Sequence, residues 1–312
     1  MVTKSVKNAN YWQVDHKIKN IFEVKGVTVL PSPEAWNKFK WARKWFAKQP
    51  NEGYFIWVKK QIDLPFFTCV SIFSKNIRQD LQNLLIIEKN LKVNLKGVCN
   101  SQKRDLNCGH KARGKIILKE GSSLKYEHIH SWGEKDIIQP SYEFLLEKNS
   151  ELDYTYKNLF SPKNLKIKTD FDLLAGAAAN IKIIADCRQS QTEIKDTLRL
   201  NGEGSSGQIQ LRLVGRKNSR IEAKSSIVAS SAGKGHLDCQ GLLIDKDSII
   251  SLDPKLVCKN KLAQLTHEAS IGKISEEELN YLRMRGLAES EAIDLIVNGF
   301  LGRDRDEQNS TT

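Results

Sequence analysis

The sequence predicts a mainly β protein, a coiled β-solenoid closed by a helical C-terminal segment. Three observations carry that expectation. Small and polar corners recur at Glu120-Gly121-Ser122-Ser123, Glu147-Lys148-Asn149-Ser150, Ala175-Gly176-Ala177 and Gly202-Glu203-Gly204-Ser205, at a spacing near 27 residues, with a shorter step to Gly215-Arg216-Lys217-Asn218. Between the corners, apolar and polar residues alternate, as in Gln208-Ile209-Gln210-Leu211-Arg212-Leu213-Val214. Past Ser275 the apolar period lengthens to that of a helix. One solenoid turn cannot bury its own apolar face, so turns must stack. A two-sheet sandwich also joins short strands by turns, but the recurring corner favours the solenoid.

In chain order, residues 1–52 read as a partly helical segment. Ser32-Pro33 opens a helical run through Phe46, with Ser32 as a plausible N-cap and proline at the first turn. Trp41 and Trp45 are four apart and so would share a helix face. Their mixture with lysines could serve base stacking, but packing on the protein body is the expected role. Residues 53–270 read as the β-solenoid, beginning with Tyr54-Phe55-Ile56-Trp57-Val58 and Phe66 to Phe73. Residues 271–302 read as two helices. The first is opened by a Ser275/Glu278 capping box and closed by Gly286. The second carries Ala292, Ile293, Ile296, Val297 and Phe300 on one face, with Gly299 near its end. Residues 303–312 read as a disordered tail.

Composition narrows the function. Net charge is +12, but residues 1–60 hold 12 Lys/Arg against 4 Asp/Glu, while residues 275–312 hold 4 against 9. This end-to-end polarity argues against a nucleic-acid binder, whose basic residues should form one continuous footprint. No apolar run is long enough to span a bilayer, and the first residues lack a signal peptide's apolar core. A cytoplasmic protein is the expectation. The six cysteines Cys69, Cys99, Cys108, Cys187, Cys239 and Cys258 form no CxxC, so thiols are expected rather than a disulfide framework or zinc ribbon.

Two nucleotide motifs fail on context. Gly202-x-Gly204-x-x-Gly207 is followed by strand-like sequence, so no helix N-terminus would meet a pyrophosphate. Gly109-x-x-x-x-Gly114-Lys115 places Ile116 where a P-loop needs Ser or Thr. Any ATP chemistry is expected from another chain. The remaining chemistry lies in dispersed thiols, imidazoles and carboxylates. Cys99 and Cys108 flank a basic loop, with His110 beside Cys108. His128 and His130 are two apart and share a strand face. Cys239 follows Asp238. His267-Glu268 sits where strand gives way to helix. Thiolate, imidazole and carboxylate are the donors that suit iron and softer metals. Taken singly, each is more often structural.

The run from Leu265-Thr266-His267-Glu268-Ala269 to Ile274, then Glu278 to Leu287 and Glu291 to Phe300, resembles the C-terminal signature of the SufB/SufD family of iron–sulfur cluster assembly scaffolds. Cys239-Gln240-Gly241-Leu242-Leu243-Ile244 resembles that family's cysteine-bearing strand. The likeness covers roughly residues 90–302 and is most like the short SmsB-type members, often archaeal. It implies a right-handed parallel β-helix and a protein that is not itself an enzyme. The chain would build and transfer a transient iron–sulfur cluster with a SufC-like ABC ATPase and a sulfur donor. It would pair through its C-terminal β-helix edge with a second copy or a SufB/SufD-type paralogue. By the same resemblance, Cys239, Glu268 and His267 would hold the cluster. Cys99, Cys108, His130 and Trp132 would accept or pass sulfur. Leu279, Leu282, Ile293, Ile296 and Phe300 would dock the ATPase. His130 stands where SufB-type chains have glutamine, which weakens the case for an internal sulfur route. A carbohydrate-active β-helix enzyme would need a clear acidic pair in a groove; an RNA-binding solenoid would use the basic N-terminal segment.

Overall fold

Alternating apolar residues and tight corners wind the chain into stacked coils, each contributing one strand to each of two facing sheets. The computed structural model describes residues 10–22 and 24–302, so the tail expected at 303–312 lies outside the described residues. The solenoid has about 8 turns. Its strands form a ten-stranded and a nine-stranded sheet, parallel except for antiparallel pairs near the N-terminus. In the ten-stranded sheet Leu152 lies beside Leu124 and Ala179 beside Leu152, so these middle coils repeat after 28 and 27 residues. Inward residues of every coil therefore stack in columns. The columns Tyr126–Tyr154–Ile181–Ile209–Leu237 and Ile138–Leu165–Thr192–Ile221 belong to the two opposite inner faces. Both inner faces merge into one continuous core.

The corners explain the spacing in the sequence. Asn90, Gly121, Asn149, Gly176 and Gly204 all adopt left-handed backbone with φ between 54° and 70°. Each N–H from Asn90 to Gly204 donates to a carbonyl of the next coil, for example Gly176 N to Glu203 O at 2.9 Å. A side chain at Gly176 would also run into the Asn149 amide of the coil below. The shorter step to Gly215-Asn218 has a topological cause. The turn with Lys217 and Asn218 at positive φ joins the ten-stranded sheet to the nine-stranded one, whereas the Gly204 corner joins them in the other direction.

Strands begin earlier than residue 53. Tyr11–Val14 pairs in parallel with Phe66–Ile72, and Val27–Pro31 pairs antiparallel with Tyr54–Val58. The helical run is shorter than expected. Helix α1 is Ser32–Lys38, capped from Pro31 without a side-chain bond, and a 3-10 helix follows at Lys40–Trp45. Ser32 is not the cap; its hydroxyl is buried and donates to Gln82 O. At three residues per turn Trp41 and Trp45 no longer share a face. Trp41 meets Trp57 edge to face, while Trp36, Phe39 and Trp45 pack with Ala42 and Phe46 on the outer face of the nine-stranded sheet, against Phe55, Leu84, Ile86 and Ile117. The aromatics are thus packed on the body, as expected.

Helices α2 (Glu276–Met284) and α3 (Glu289–Leu301) close the chain. Ser275 Oγ accepts from Glu278 N, and the Glu291 carboxylate accepts from Ala288 N at 2.8 Å. Gly286 follows α2 at φ +94°, and the αL cap of α3 is Gly302, since Gly299 lies inside the helix. Helix α3 buries Val297 and Leu301 against Ile184, Val214 and Leu242 on the outer face of the ten-stranded sheet. A buried ion pair secures it. Arg216 Nε meets Asp186 at 2.8 Å, and Arg216 Nη1 meets Asp294 of α3 at 2.9 Å. No helix among the described residues is long and apolar enough to cross a membrane.

Candidate functional site

Two regions bring together the chemistry-bearing side chains: the final coil and the interior of the early coils. The final coil consists of Ile249–Cys258 and Gln264–Lys273, the outermost strands of their sheets. Among the described residues each is paired on one side only, so a ten-residue row of backbone donors and acceptors stands free at the end of the solenoid. Behind it lies the strand Gly233–Leu243, in register without a bulge.

That register decides which side chains meet. Cys239 points into the core, 1% exposed, stacked on Leu211 and beside Ala269. His267 lies beside Leu237 and shares this inner face by strand alternation. Glu268 lies beside Asp238 on the outer face, where its carboxylate is 3.6 Å from His236 Nε2. His236 also meets Thr266 at 2.8 Å, and both line an outer groove of about 800 Å³ with Gln208, Gln210 and Lys234. The chain therefore places Cys239 and His267 on one face and Glu268 with His236 on the other. The three residues expected to share a cluster are not convergent within one chain.

Burial, then the Asp196 and Asp238 charges, pushes the Cys239 thiol up to about 12, with Arg212 opposing. Cys239 is thus a neutral thiol in this closed state. Asp196 is a residue the sequence reading missed. It sits fully buried in the strand Gln191–Leu200, bonded by the Thr169 and Ser225 hydroxyls, and burial raises its carboxyl to about 7. Its signal was present: an acid at an inward position between Ile194 and Leu198. His236 carried a weaker one, an imidazole one strand away from Glu268.

The second region is a fully buried aromatic and imidazole cluster. Cys99 Sγ lies 3.8 Å from His128 Nε2, and His128 Nε2 lies 2.9 Å from His130 Nε2. All three ligand atoms are within 4.8 Å of one another. Tyr154 and Tyr156 hydroxyls meet His128 Nδ1 and His130 Nδ1 at 3.3 and 3.0 Å. Trp132 is buried against His110, with ring centroids 4.8 Å apart. Cys108 is buried apart from this group, its backbone N–H donating to Asp136. Burial depresses His110 and His128 to about 3 and His130 well below its usual range, and raises the Cys99 and Cys108 thiols. All of these groups are neutral at pH 7.

Between the two regions the interior is filled. In register from His128 toward the end coil stand Tyr156, Ile183, Leu211 and then Cys239, the first three at most 1% exposed. Five strand spacings separate the strand of Cys99 from that of Cys239, about 24 Å at the usual sheet spacing.

The residues expected to dock an ATPase divide between two roles. Ile293, Ile296 and Phe300 pack with α3 against the solenoid. Leu282 and Ile296 line a groove of about 650 Å³ with Tyr281, Glu277 and Glu278, and Leu279 is half-buried. The outward apolar side chains are Met284, 81% exposed, with Tyr281 and Leu295.

Comparison with known proteins agrees with this architecture. The family model described as "SUF system FeS cluster assembly, SufBD core domain" matches residues 74–300. An iron-sulfur cluster assembly SufBD family protein of Methanothermobacter thermautotrophicus is 29% identical over 81% of this chain and 63% of its own length. One of Archaeoglobus fulgidus is 27% identical over 96% of this chain and 85% of its own. One of Pyrococcus horikoshii is 29% identical over 80% of this chain and 57% of its own. The chain thus spans about three fifths of the length of the Methanothermobacter and Pyrococcus relatives. With the model matched over more than half its residues, the chain belongs to the SufBD family of iron–sulfur cluster assembly proteins.

Proposed function

We propose that this chain is a non-catalytic scaffold that builds and hands on a nascent iron–sulfur cluster, with ATP hydrolysis supplied by a SufC-like ABC ATPase. The observation that carries this reading is the open final coil, with Cys239 one strand behind two free strand edges. Such edges favour pairing with a matching edge. A second copy, or a SufB/SufD-type paralogue, would meet the chain there, and twofold pairing would double each ligand. The cluster is cargo, and mixed ligation suits a site that must release it.

In this reading Cys239 and His267 are the inner-face ligands. Glu268 serves from the outer face, together with His236. A one-residue slip of the terminal strand would exchange His267 for Glu268 on the inner face, so the edge strand itself can select the ligand set. The Cys239 thiol must lose its proton and gain access before it can hold iron, which requires the end coil to open. Helices α2 and α3 are the ATPase handle through Tyr281, Met284 and Leu295, with Leu279 and Leu282 behind them. Sulfur reaches the end coil directly from its donor, because Tyr156, Ile183 and Leu211 fill the interior column that runs from His128 to Cys239.

Anaerobic reconstitution with iron and sulfide tests the assignment. Cys239→Ala should lose the visible absorbance of the cluster while keeping its far-UV circular dichroism; wild-type absorbance in that variant would defeat the reading. Co-purification tests the handle. Met284→Glu with Leu295→Glu should abolish capture of the ATPase without lowering the unfolding midpoint, and undiminished capture would remove the helices from the partner surface.

A further inference from the structure

We propose that Cys99, His128 and His130 form a second metal site, binding one first-row divalent transition ion inside the early coils. The site is independent of the cluster assigned to the end coil.

The donor set converges. A tetrahedral ion with nitrogen bonds near 2.05 Å and a sulfur bond near 2.3 Å spaces its nitrogens about 3.3 Å apart, and nitrogen from sulfur about 3.6 Å. The chain holds two of these three spacings at 2.9 and 3.8 Å, a few tenths of an ångström away, and the third, from Cys99 Sγ to His130, within 4.8 Å, so the Cys99 side chain must move inward to close on an ion. Two neutral imidazoles and a thiol are borderline donors that suit zinc, cobalt or ferrous iron over magnesium or calcium.

Proton positions point the same way. Without an ion, one Nε2 must carry a proton and donate it to the other across 2.9 Å. With an ion, both Nε2 atoms are bare, and each ring's proton sits on Nδ1, donated to the oxygen of Tyr154 or Tyr156. Hydrogen bonds from the non-ligating nitrogen to such partners are the usual support of metal-bound histidine. Binding forms one metal–sulfur and two metal–nitrogen bonds and releases the Cys99 thiol proton to solvent.

The surroundings are unsatisfied in a way that calls for an occupant. His110 Nδ1 donates to Gln79 Oε1 at 2.8 Å, which leaves its Nε2 lone pair buried without a partner. Asn158 stacks in register on His130, fully buried, with neither amide atom bonded. Buried polar atoms rarely go unpaired. Both groups adjoin His130, Asn158 in register with it and the His110 ring 6.0 Å from it between centroids, so they can hold a water or other small fourth ligand of the ion.

The test uses the full chain expressed in cobalt-supplemented medium, so that the ion is present while the coils close. We expect one cobalt per chain, with thiolate charge-transfer absorbance in the near ultraviolet and tetrahedral bands in the visible. Cys99→Ser should lose the charge-transfer band. His128→Ala and His130→Ala should each lower cobalt content at least tenfold. Tyr156→Phe, a positioning change, should weaken affinity by about tenfold while keeping the spectrum. Cys239→Ala should keep both cobalt and spectrum, which separates this site from the cluster site. Circular dichroism checks folding, and a cobalt-dependent rise in the wild-type melting temperature reads binding without any variant. Absence of cobalt from folded wild-type chain, or a spectrum unchanged in Cys99→Ser, would overturn the proposal.

Discussion

Acid should unfold this protein over a window set by its buried core rather than by its surface. His110, His128 and His130 are buried and held neutral, with the folded pKa of the first two near 3. In the unfolded chain each titrates near 6.5. Below that pH the unfolded state takes up protons the folded state refuses, so stability present above pH 6.5 drains away as pH falls. Each group contributes about 1.4 kcal/mol per pH unit. Asp196 works in the opposite direction. Its folded pKa is raised to about 7, so between about pH 7 and 4 the folded state holds a proton the unfolded state has released. Three groups lose and one gains, a net loss of about 2.7 kcal/mol per unit between roughly pH 6 and 4. Urea unfolding of metal-free protein at half-unit steps, followed by tryptophan fluorescence, measures this slope. Asp196→Asn removes the opposing group and should steepen the slope to about 4 kcal/mol per unit. A stability profile that is flat from pH 6.5 to 5, or a slope unmoved in Asp196→Asn, would refute the reasoning.

Other predictions concern the helical handle and the corners. Arg216→Ala removes the guanidinium joining Asp186 to α3 and should cost about 3 kcal/mol, because Asp186 is fully buried and keeps Arg188 at 3.1 Å as a weaker substitute; limited proteolysis should then cut within 276–302 first. Asp294→Asn breaks only the half-exposed arm of that network and should cost less than about 1 kcal/mol in the same urea assay. Gly176→Ala should cost more than Gly204→Ala. Both pay about 1–2 kcal/mol for left-handed backbone, but only Gly176 has a neighbour, the Asn149 amide, where the new Cβ would go. Equal unfolding midpoints for the two variants would show that the coils do not press on one another at this corner.

Much of the architecture was legible because a solenoid repeats its own grammar. The corners from Gly121 to Gly204 announce themselves by residues that tolerate positive φ, and the inward columns by period two. The two rejected nucleotide motifs lie as expected, Gly109–Leu118 as a strand and Gly202 to Gly207 across a corner into one. What could not be read was register between coils. Only stacking reveals that Cys99, His130 and Asn158 form one column, or that Asp196 lies near Cys239. The same limit governs Cys239, His267 and Glu268. A resemblance groups them by role, but alternation along one strand separates His267 from Glu268, and no local pattern states which of the two shares the face of Cys239. At the N-terminus, Ser32 looked like a cap because Ser-Pro so often opens helices. Its hydroxyl instead satisfies Gln82 O, a partner 50 residues away.

The placement of α3 gives the proposed ATPase handle a mechanical route to the proposed assembly site. Its Val297 and Leu301 pack on Leu242, in the same strand as Cys239, and its Asp294 holds Arg216, at the end of the neighbouring strand Ser205–Arg216. A partner that pulled on α3 would therefore strain the two strands on either side of the Leu211–Cys239 contact. To serve as the proposed iron ligand, the thiol needs such an event. Apolar burial keeps it protonated, and water reaching the inner face would lower that penalty. Arg212, already salt-bridged to Asp238 next door, favours the thiolate once burial is relieved. On the proposed reading, exposing Cys239 only when a partner moves would avoid presenting a reactive thiolate in the resting state. The cost is borne by the open edge, whose free backbone groups make the final coil the part of the solenoid easiest to displace.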